Sequence, residues 1–386
     1  MRRPLGIGLL GFGFIGQVHA YGYRTLPFHY PALEVEPRLV AVCTGHPQTA
    51  EAARERLGFE YGTTDFRRVV EDPAVEVVHV ATPNAQHAEQ ILATLAAGKH
   101  LYCEKPLVVS VGEAEAVRTA LAGYRGVHQL VLHNRFFPAT LRARQAVEQG
   151  RLGELIGFRA AYLHCSNLEP SRPLVWKNEP QGGVLRDLAP HVLDLVQWLA
   201  GPLSEVMCST QILHAQRPSR EDPSRLVPVT VEDAAHLLAR TAQGATGTVE
   251  VSKIAPGMQD ELRVEVFGQA GALRFNLMDP NWLELYDNTP PDLPLGGDRG
   301  FRRIECVGRY PAPARPFPSA KSAVGWLRAH LGCLAGFLQA LLEERPAAPD
   351  LAVGIRQAYE IAAALQSARE GRWVDLAQDA AVYARP

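Results

Sequence analysis

The chain has 386 residues, 47% of them hydrophobic and 21% charged, with a formal net charge of −2 at pH 7. Such a length and balance point to a globular protein of two domains, each able to bury its own core. They give no reason to expect nucleic acid or an anionic membrane as a partner, and no apolar run reaches the roughly 18 residues of a membrane span.

The N-terminus, Met1-Arg2-Arg3-Pro4, is basic, but a short apolar run leads from it straight into a glycine turn, so no secretory signal is expected. The first predicted strand, Ile7–Leu10, closes in Gly11-Phe12-Gly13-Phe14-Ile15-Gly16. A Gly-x-Gly-x-x-Gly turn between a strand and a helix is the context that a dinucleotide pocket requires. Gly11 allows the tight turn, Gly13 the close approach of a pyrophosphate, and Gly16 the packing of helix on strand. Phe14 and Ile15 fall in the first helical turn, whose N–H groups face the phosphates. A glycine-rich turn without a ligand is the competing reading.

Tyr21 to Pro37, with Pro27, Phe28, His29, Tyr30 and Pro31, interrupts the pattern and reads as a lengthened crossover: a surface loop, a roof over the cofactor or a subunit contact. Strands are then predicted at Leu39–Cys43, Val75–Ala81, His100–Cys103 and Val127–Leu132, with helical patterns at Gln48–Leu57, Gln86–Ala97 and Gly112–Leu121. This alternation is the mark of a doubly wound parallel sheet, placed at residues 1–133. Ligands of such sheets bind outside the carboxyl ends of the strands. Thr82-Pro83-Asn84, with His87 one turn into the next helix, ends one strand, and Glu104-Lys105-Pro106 ends the following one. Both clusters are therefore expected on the rim that carries the glycine turn. A lysine there can hydrogen-bond a substrate hydroxyl and stabilise a developing alkoxide, although a surface lysine in a turn is the plainer alternative.

After Asn134 the texture changes. A helix at Ala139–Gln149, a strand at Ile156–His164, a loop with Pro170, Pro173, Trp176 and Pro180, and a helix at Leu185–Leu199 are predicted. Further strands follow at Glu205–Ile212, Ala234–Thr241, Gly247–Lys253, Leu262–Phe267 and Ala272–Asn276, with irregular proline-rich segments at Pro218–Pro228 and Thr289–Pro318. Helices at Ala323–Glu344 and Leu351–Glu370 and a strand at Trp373–Leu376 end the pattern. The fold class is therefore α/β, with residues 134–386 forming an α/β domain on a large, open, mostly antiparallel sheet. The open face is expected to be apolar and covered by a second copy, giving a homodimer or homotetramer.

Within Gly182-Gly183-Val-Leu-Arg-Asp187-Leu-Ala-Pro-His191-Val-Leu-Asp194, Asp187, His191 and Asp194 share one face if the segment is a single helix. Pro190 is tolerated only in a first helical turn, which sets His191 near a helix start. An imidazole suits general acid–base work. The alternative is that Asp187 caps the helix and His191 is a core residue. Six cysteines are scattered without a Cys-x-x-Cys pair, which fits reduced thiols in a cytoplasmic protein. No metal is expected, since His164 and Cys165 adjoin without any further ligand spacing.

The glycine fingerprint, Thr82-Pro83-Asn84 with His87, Glu104-Lys105-Pro106 and Gly183…Asp187…His191 together resemble the glucose–fructose oxidoreductase / inositol dehydrogenase / MocA (Gfo/Idh/MocA) family of NAD(P)-dependent oxidoreductases. The resemblance runs almost from end to end. The phrasing around Ala20–Pro31 and Pro173–Trp176 resembles members acting on glycosides and anhydrosugars. It implies hydride transfer between a secondary alcohol of a sugar, glycoside, anhydrosugar or cyclitol and NAD(P). By the same carry-over His191 exchanges the hydroxyl proton, Lys105 stabilises the alkoxide, Asp187 positions substrate and imidazole, and Asn84 and His87 border the nicotinamide. Arg135, Trp176 and Lys177 are candidates for substrate contact. Two other readings keep the fold: an NAD-dependent redox-elimination glycosidase, and a non-enzymatic regulator that binds dinucleotide and metabolite. The usual acidic residue about 20 positions after the glycines is missing in the expected place. Glu34 and Glu36 precede the second strand, while Thr44, Gly45 and His46 follow it. Nothing there repels or attracts a 2′-phosphate, so NAD and NADP are both permitted, with NAD slightly favoured.

Overall fold

The computed structural model describes residues 2–376. These fall into two compact units, one made of the chain up to Phe136 together with Gly308–Ala358, the other of Phe137–Val307 together with the chain from Tyr359 onward.

The first unit holds six parallel strands: β1 (Arg3–Leu10), β2 (Val35–Cys43), β3 (Tyr61–Thr63), β4 (Val77–Val80), β5 (His100–Glu104) and β6 (His128–Val131). Their order is β3-β2-β1-β4-β5-β6, the doubly wound dinucleotide-binding order with its reversal between β1 and β4. Ile7, Leu9, Leu10, Val77, Val78 and Val80 are all buried, as expected of strands covered on both faces. Helices α1 (Phe14–His29), α2 (Pro47–Leu57), α3 (Phe66–Glu71), α4 (His87–Ala96) and α5 (Val111–Leu121) supply the cover. α2 opens on Pro47 and stops at Gly58 in the left-handed region, and α5 opens on a capping box of Ser110 and Glu113.

The stretch from Tyr21 to Pro37 is not a long loop. α1 continues through Pro27 to His29, because Tyr23 and Leu26 are drawn into the core, and that burial offsets the one i→i−4 hydrogen bond that Pro27, lacking an N–H, forfeits. Tyr30 and Leu33 are buried too, and β2 begins at Val35.

The second unit contains α6 (Pro138–Glu148), β7 (Leu155–Leu163), α7 (Val184–Asp187), α8 (Ala189–Ala200), β8 (Leu203–Gln211), β9 (Gln216–Pro218), β10 (Leu226–Pro228), β11 (Ala234–Thr241), β12 (Thr246–Ser252), β13 (Glu261–Gly268), β14 (Gly271–Asn276), β15 (Trp282–Asp287) and β16 (Arg302–Glu305). With the later β17 (Val374–Asp375), nine strands pair in the order β16-β15-β14-β13-β7-β12-β11-β8-β17, all antiparallel except β7 with β12. β9 and β10 form a short separate ladder at the two ends of the segment Pro218–Pro228, expected to be irregular. The apolar α8 packs on β7, β12 and β13, burying Tyr162, Val251 and Val264.

The other face of this sheet is not apolar. Arg303, Glu284, Arg274, Glu265 and Arg159 stand opposite one another on five successive strands, a row of alternating sign. Glu265 lies 2.8 Å from Arg274 and 3.5 Å from Arg159. The row turns apolar only at Leu238 and Met207 beyond Thr248. Cross-strand ion pairs, rather than a hydrophobic patch, occupy most of it.

After Val307 the chain returns to the first unit, a return that a division at residues 133/134 does not contain. α9 (Trp326–Leu342) lays Leu331, Leu334, Phe337 and Leu338 into the same core as Tyr23, Leu26 and Tyr102. Gly22 permits this approach, since a Cβ there would sit 2.9 Å from the Leu334 side chain. α10 (Leu351–Glu370) follows, its first residues counted with the first unit and the rest with the second.

Candidate active site

The glycine turn has the form of a phosphate cradle. Gly11 has φ +91°, and a Cβ on it would lie 2.4 Å from the Ala81 carbonyl oxygen. A Cβ on Gly16 would lie 2.1 Å from the Gly11 carbonyl oxygen, so the helix sits directly on the turn. Gly13 differs: nothing lies within 4 Å of its Cβ position. It is the N-cap of α1, with no side-chain cap and no acidic residue in the first turn. The open space at Gly13 lies at the favourable end of the helix dipole, which fits a dinucleotide diphosphate. Ile15 is half-buried, while Phe14 is 73% exposed and its ring stacks 5.5 Å from Trp326. Thr44 stands just past β2, its hydroxyl 2.6 Å from that of Thr49, with no lysine or arginine between them in the chain.

Thr82, Pro83 and Asn84 follow β4 as expected, and Glu104 and Lys105 end β5. His87, buried at the start of α4, has one ring nitrogen 2.8 Å from the Pro106 carbonyl and the other 2.9 Å from the Thr82 carbonyl. It ties the two strand-end loops together. Burial lowers its pKa, against the pull of those carbonyls and of Glu104 toward the charged form.

Lys105 is half-buried, joined to Pro106 by a cis peptide, and its backbone N–H donates to Glu104 (3.2 Å). Behind it runs a buried chain that the sequence did not reveal. Tyr23 Oη lies 2.7 Å from His79 Nε2, His79 Nδ1 lies 3.1 Å from His19 Nδ1, and His19 Nε2 lies 3.0 Å from Glu104 Oε1. With both histidines neutral, one set of proton positions satisfies every link: Tyr23 donates to His79, His79 to His19, and His19 to the carboxylate. Burial, with His19 beside it, holds His79 well below the usual imidazole range. Burial also works against ionisation of Glu104. The His19 hydrogen bond and the electrostatic pull of His19, Lys105 and His133 outweigh it, and the carboxyl lies below its ordinary pKa. The donor atoms of His19, Glu104 and His330 lie within 4.8 Å of one another, but both His19 nitrogens are already used in this chain. Arg135 sits half-buried on a short turn (His133–Phe136) after β6.

In the second unit the predicted helix breaks at Leu188, so Asp187 ends α7 while His191 and Asp194 belong to α8. Pro190 does fall in the first turn of α8, with His191 next to it. Asp187 is no helix cap, for no side chain caps α8. Its carboxylate instead meets two lysines: Lys253 Nζ at 2.6 Å from Oδ2, and Lys177 Nζ at 3.1 and 3.2 Å from the two oxygens. Lys177 and Trp176 share a single turn (Trp176–Asn178), with the ammonium 5.5 Å from the indole. His191 is buried, its ring 5.8 Å from Tyr162, and the Tyr162 hydroxyl donates to Asp260 (2.6 Å). Gly183, φ +88°, precedes α7 as its N-cap residue, and a Cβ there would lie 2.4 Å from the Glu232 carboxylate. That carboxylate accepts the Leu185 N–H (2.9 Å), and burial raises its pKa. Lys253, Glu232 and Tyr162 escaped the sequence reading. The only trace of Lys253 is a lone lysine closing an alternating strand, Thr246-Gly-Thr-Val-Glu-Val-Ser-Lys253.

Comparison with known proteins identifies the family of the chain. Residues 5–130 match the family described as "Oxidoreductase family, NAD-binding Rossmann fold", and residues 140–274 match the "GFO/IDH/MocA C-terminal domain". Levoglucosan dehydrogenase of Pseudarthrobacter phenanthrenivorans is 31% identical, over 97% of this chain and 99% of that protein. Inositol 2-dehydrogenase of Rhizobium meliloti is 28% identical over 72% of this chain and 77% of its own. A solved structure of levoglucosan dehydrogenase in complex with NADH and levoglucosan superposes with a TM-score of 0.91, covering 97% of this chain and all of that one, at 31% identity. An NAD-binding oxidoreductase structure from Klebsiella pneumoniae gives 0.89 at 31% identity, covering 97% of this chain and 99% of its own. Cradle, strand-end lysine and matched segments together make this chain a member of the Gfo/Idh/MocA family of oxidoreductases, with its NAD-binding Rossmann fold.

Proposed function

We propose that the protein is a dehydrogenase that oxidises a secondary hydroxyl of a pyranose-type sugar, with an anhydrosugar or glycoside as substrate and NAD as acceptor. NAD, when bound, supplies the position that receives the hydride leaving the carbinol carbon. Gly11, Gly13 and Gly16 with the first turn of α1 hold the diphosphate, and Thr44, Thr82, Pro83 and Asn84 border the rest of the cofactor. The preference for NAD rests on Thr44-Gly45-His46, which offers a 2′-phosphate no cation.

The chain's own residues divide the proton work. His191 takes the proton from the hydroxyl, and Lys105 donates a hydrogen bond to the oxygen as it becomes an alkoxide. Asp187, kept charged by its lysines, orients substrate and imidazole. Arg135, Trp176 and Lys177 are assigned to substrate contact, and the paired Lys177 and Trp176 offer an apolar ring face beside a cation, suited to a sugar ring. The carrying observation is the retained Lys105, Asp187 and His191 on a chain whose NADH- and levoglucosan-bound relative matches from end to end. We place the enzyme in the cytoplasm. All six cysteines are free, and five are buried, as a reducing compartment allows.

The test is NADH formation during a screen of levoglucosan, monosaccharides, glycosides and inositols, with NADPH followed in parallel. Net NADH from an anhydrosugar or glycoside is the expected result. NAD(H) binding without turnover on any of them would refute the proposal, and aglycone release without net NADH would replace it with redox elimination.

A further inference from the structure

We infer that Lys253, outside every motif of the sequence, is the positioning residue that keeps the Asp187 carboxylate charged and aimed, while Lys177 holds the same group only from its solvent side. This rests on the reading that Asp187 serves the reaction.

The two lysines differ in kind. Lys253 is buried, its side chain 7% exposed against 10% for Asp187, and its 2.6 Å contact is the shorter. Its backbone is pinned on both sides: its N–H donates to the Asp233 carbonyl and its carbonyl accepts the Asn167 N–H, each at 2.8 Å. A buried ammonium and carboxylate hold each other charged, since removing either leaves an unmatched charge in a poor solvent. Glu232 also feels Lys253, but the direct ion pair of this lysine is the 2.6 Å contact with Asp187. Lys177 is 43% exposed, sits on a three-residue turn and straddles both oxygens at longer range. A carboxylate has about four acceptor positions. A sugar hydroxyl claiming one of them displaces the half-exposed Lys177 and leaves the buried Lys253 in place.

A double-mutant cycle on the full-length enzyme tests this, using NAD with levoglucosan, or with the sugar of highest turnover if levoglucosan is inert. Lys253→Met is expected to lower kcat ~30- to 100-fold with KM within about 3-fold, the order seen when a charge-orienting group is lost. Lys253→Arg, which keeps the charge, recovers most of that loss. Lys177→Met acts on KM instead. In an Asp187→Asn background, adding Lys253→Met costs nothing further, because the lysine acts only through the carboxylate. NADH affinity, read by fluorescence, stays unchanged throughout. A further multiplicative loss in the double variant, or near-normal kcat in Lys253→Met, overturns the inference. If Lys253→Met fails to fold, Asp187→Asn/Lys253→Met, which removes both charges of the pair, is compared with Asp187→Asn, in which Lys253 still has the Glu232 carboxyl nearby: equal kcat supports the inference and a further loss overturns it. Full turnover in Asp187→Asn alone would sink the role of Asp187 itself, a separate outcome.

Discussion

Replacing His19 by leucine should destabilise the first unit in a way that depends on pH with a defined sign. His19 and Glu104 are both buried, and their 3.0 Å contact is the carboxylate's side-chain hydrogen bond. Leaving a buried acceptor without its donor costs about 1–3 kcal/mol, and more for a charged group. Glu104 keeps the Lys105 N–H at 3.2 Å, so about 3 kcal/mol is expected at pH 7. In the native protein the Glu104 pKa is lowered. Its contribution is therefore present above the ordinary carboxylate pKa and lost as pH falls through the lowered one. Without His19 the burial contribution dominates and the pKa rises. The penalty then grows as pH rises through that value and shrinks in acid. Urea unfolding at pH 7 and near pH 4.5 measures this, with hydrogen exchange of the β4 and β5 amides assigning the transition to the first unit. A midpoint shift of roughly 1 M at pH 7, given m of about 3 kcal/mol/M, should narrow at the lower pH. A deficit that is small, or equal at both pH values, would refute the reasoning. Gln at position 19 retains a donor for the carboxylate and should recover part of the loss.

Three other outcomes follow from the geometry. Lys105→Met should lower turnover at least ~100-fold while NADH binding, followed by fluorescence, persists. Gly11→Ala and Gly13→Ala should separate two roles. The first meets the Ala81 carbonyl at positive φ and should lower the melting temperature by several degrees, at a cost of about 1–3 kcal/mol. The second should melt like wild type but bind NADH about 10-fold more weakly, because its Cβ enters only the space needed by the diphosphate. Glu265→Lys places a fourth cation in the row of Arg303, Arg274 and Arg159, broken only by Glu284, and should cost about 1–2 kcal/mol in a thermal melt, less at high salt.

The first sheet was legible because each central strand is a short apolar run ending in chemistry: Leu10 before Gly11, Val80 before Thr82, Cys103 before Glu104. β3 and α3 were not, since Tyr61–Thr63 is three residues at a sheet edge and Phe66–Glu71 barely more than a turn. Pro27 concealed the end of α1, where burial of Tyr23 and Leu26 overrides a local helix breaker. The outward face of the larger sheet was misread because alternation tells which residues are buried but not what the others pair with. One of its ion pairs, Arg159 with Glu265, joins strands far apart in the chain. The same distance in sequence hid Lys253 from Asp187 and His19 from Glu104. Motifs record what is local. The partners that fix a charge come from elsewhere.

The late return of α9 to the nucleotide-binding unit has a consequence for biogenesis. Phe337, Leu334 and Leu338 complete a core begun by Leu5, Ile7 and Tyr23. At a synthesis rate of about 5–20 residues per second, the nascent Rossmann half waits on the order of 10–40 s for that helix, its greasy flank bare in the meantime. Chaperone occupancy during that interval, and insolubility of any fragment cut after Phe136, are therefore written into the topology rather than into any weakness of the strands.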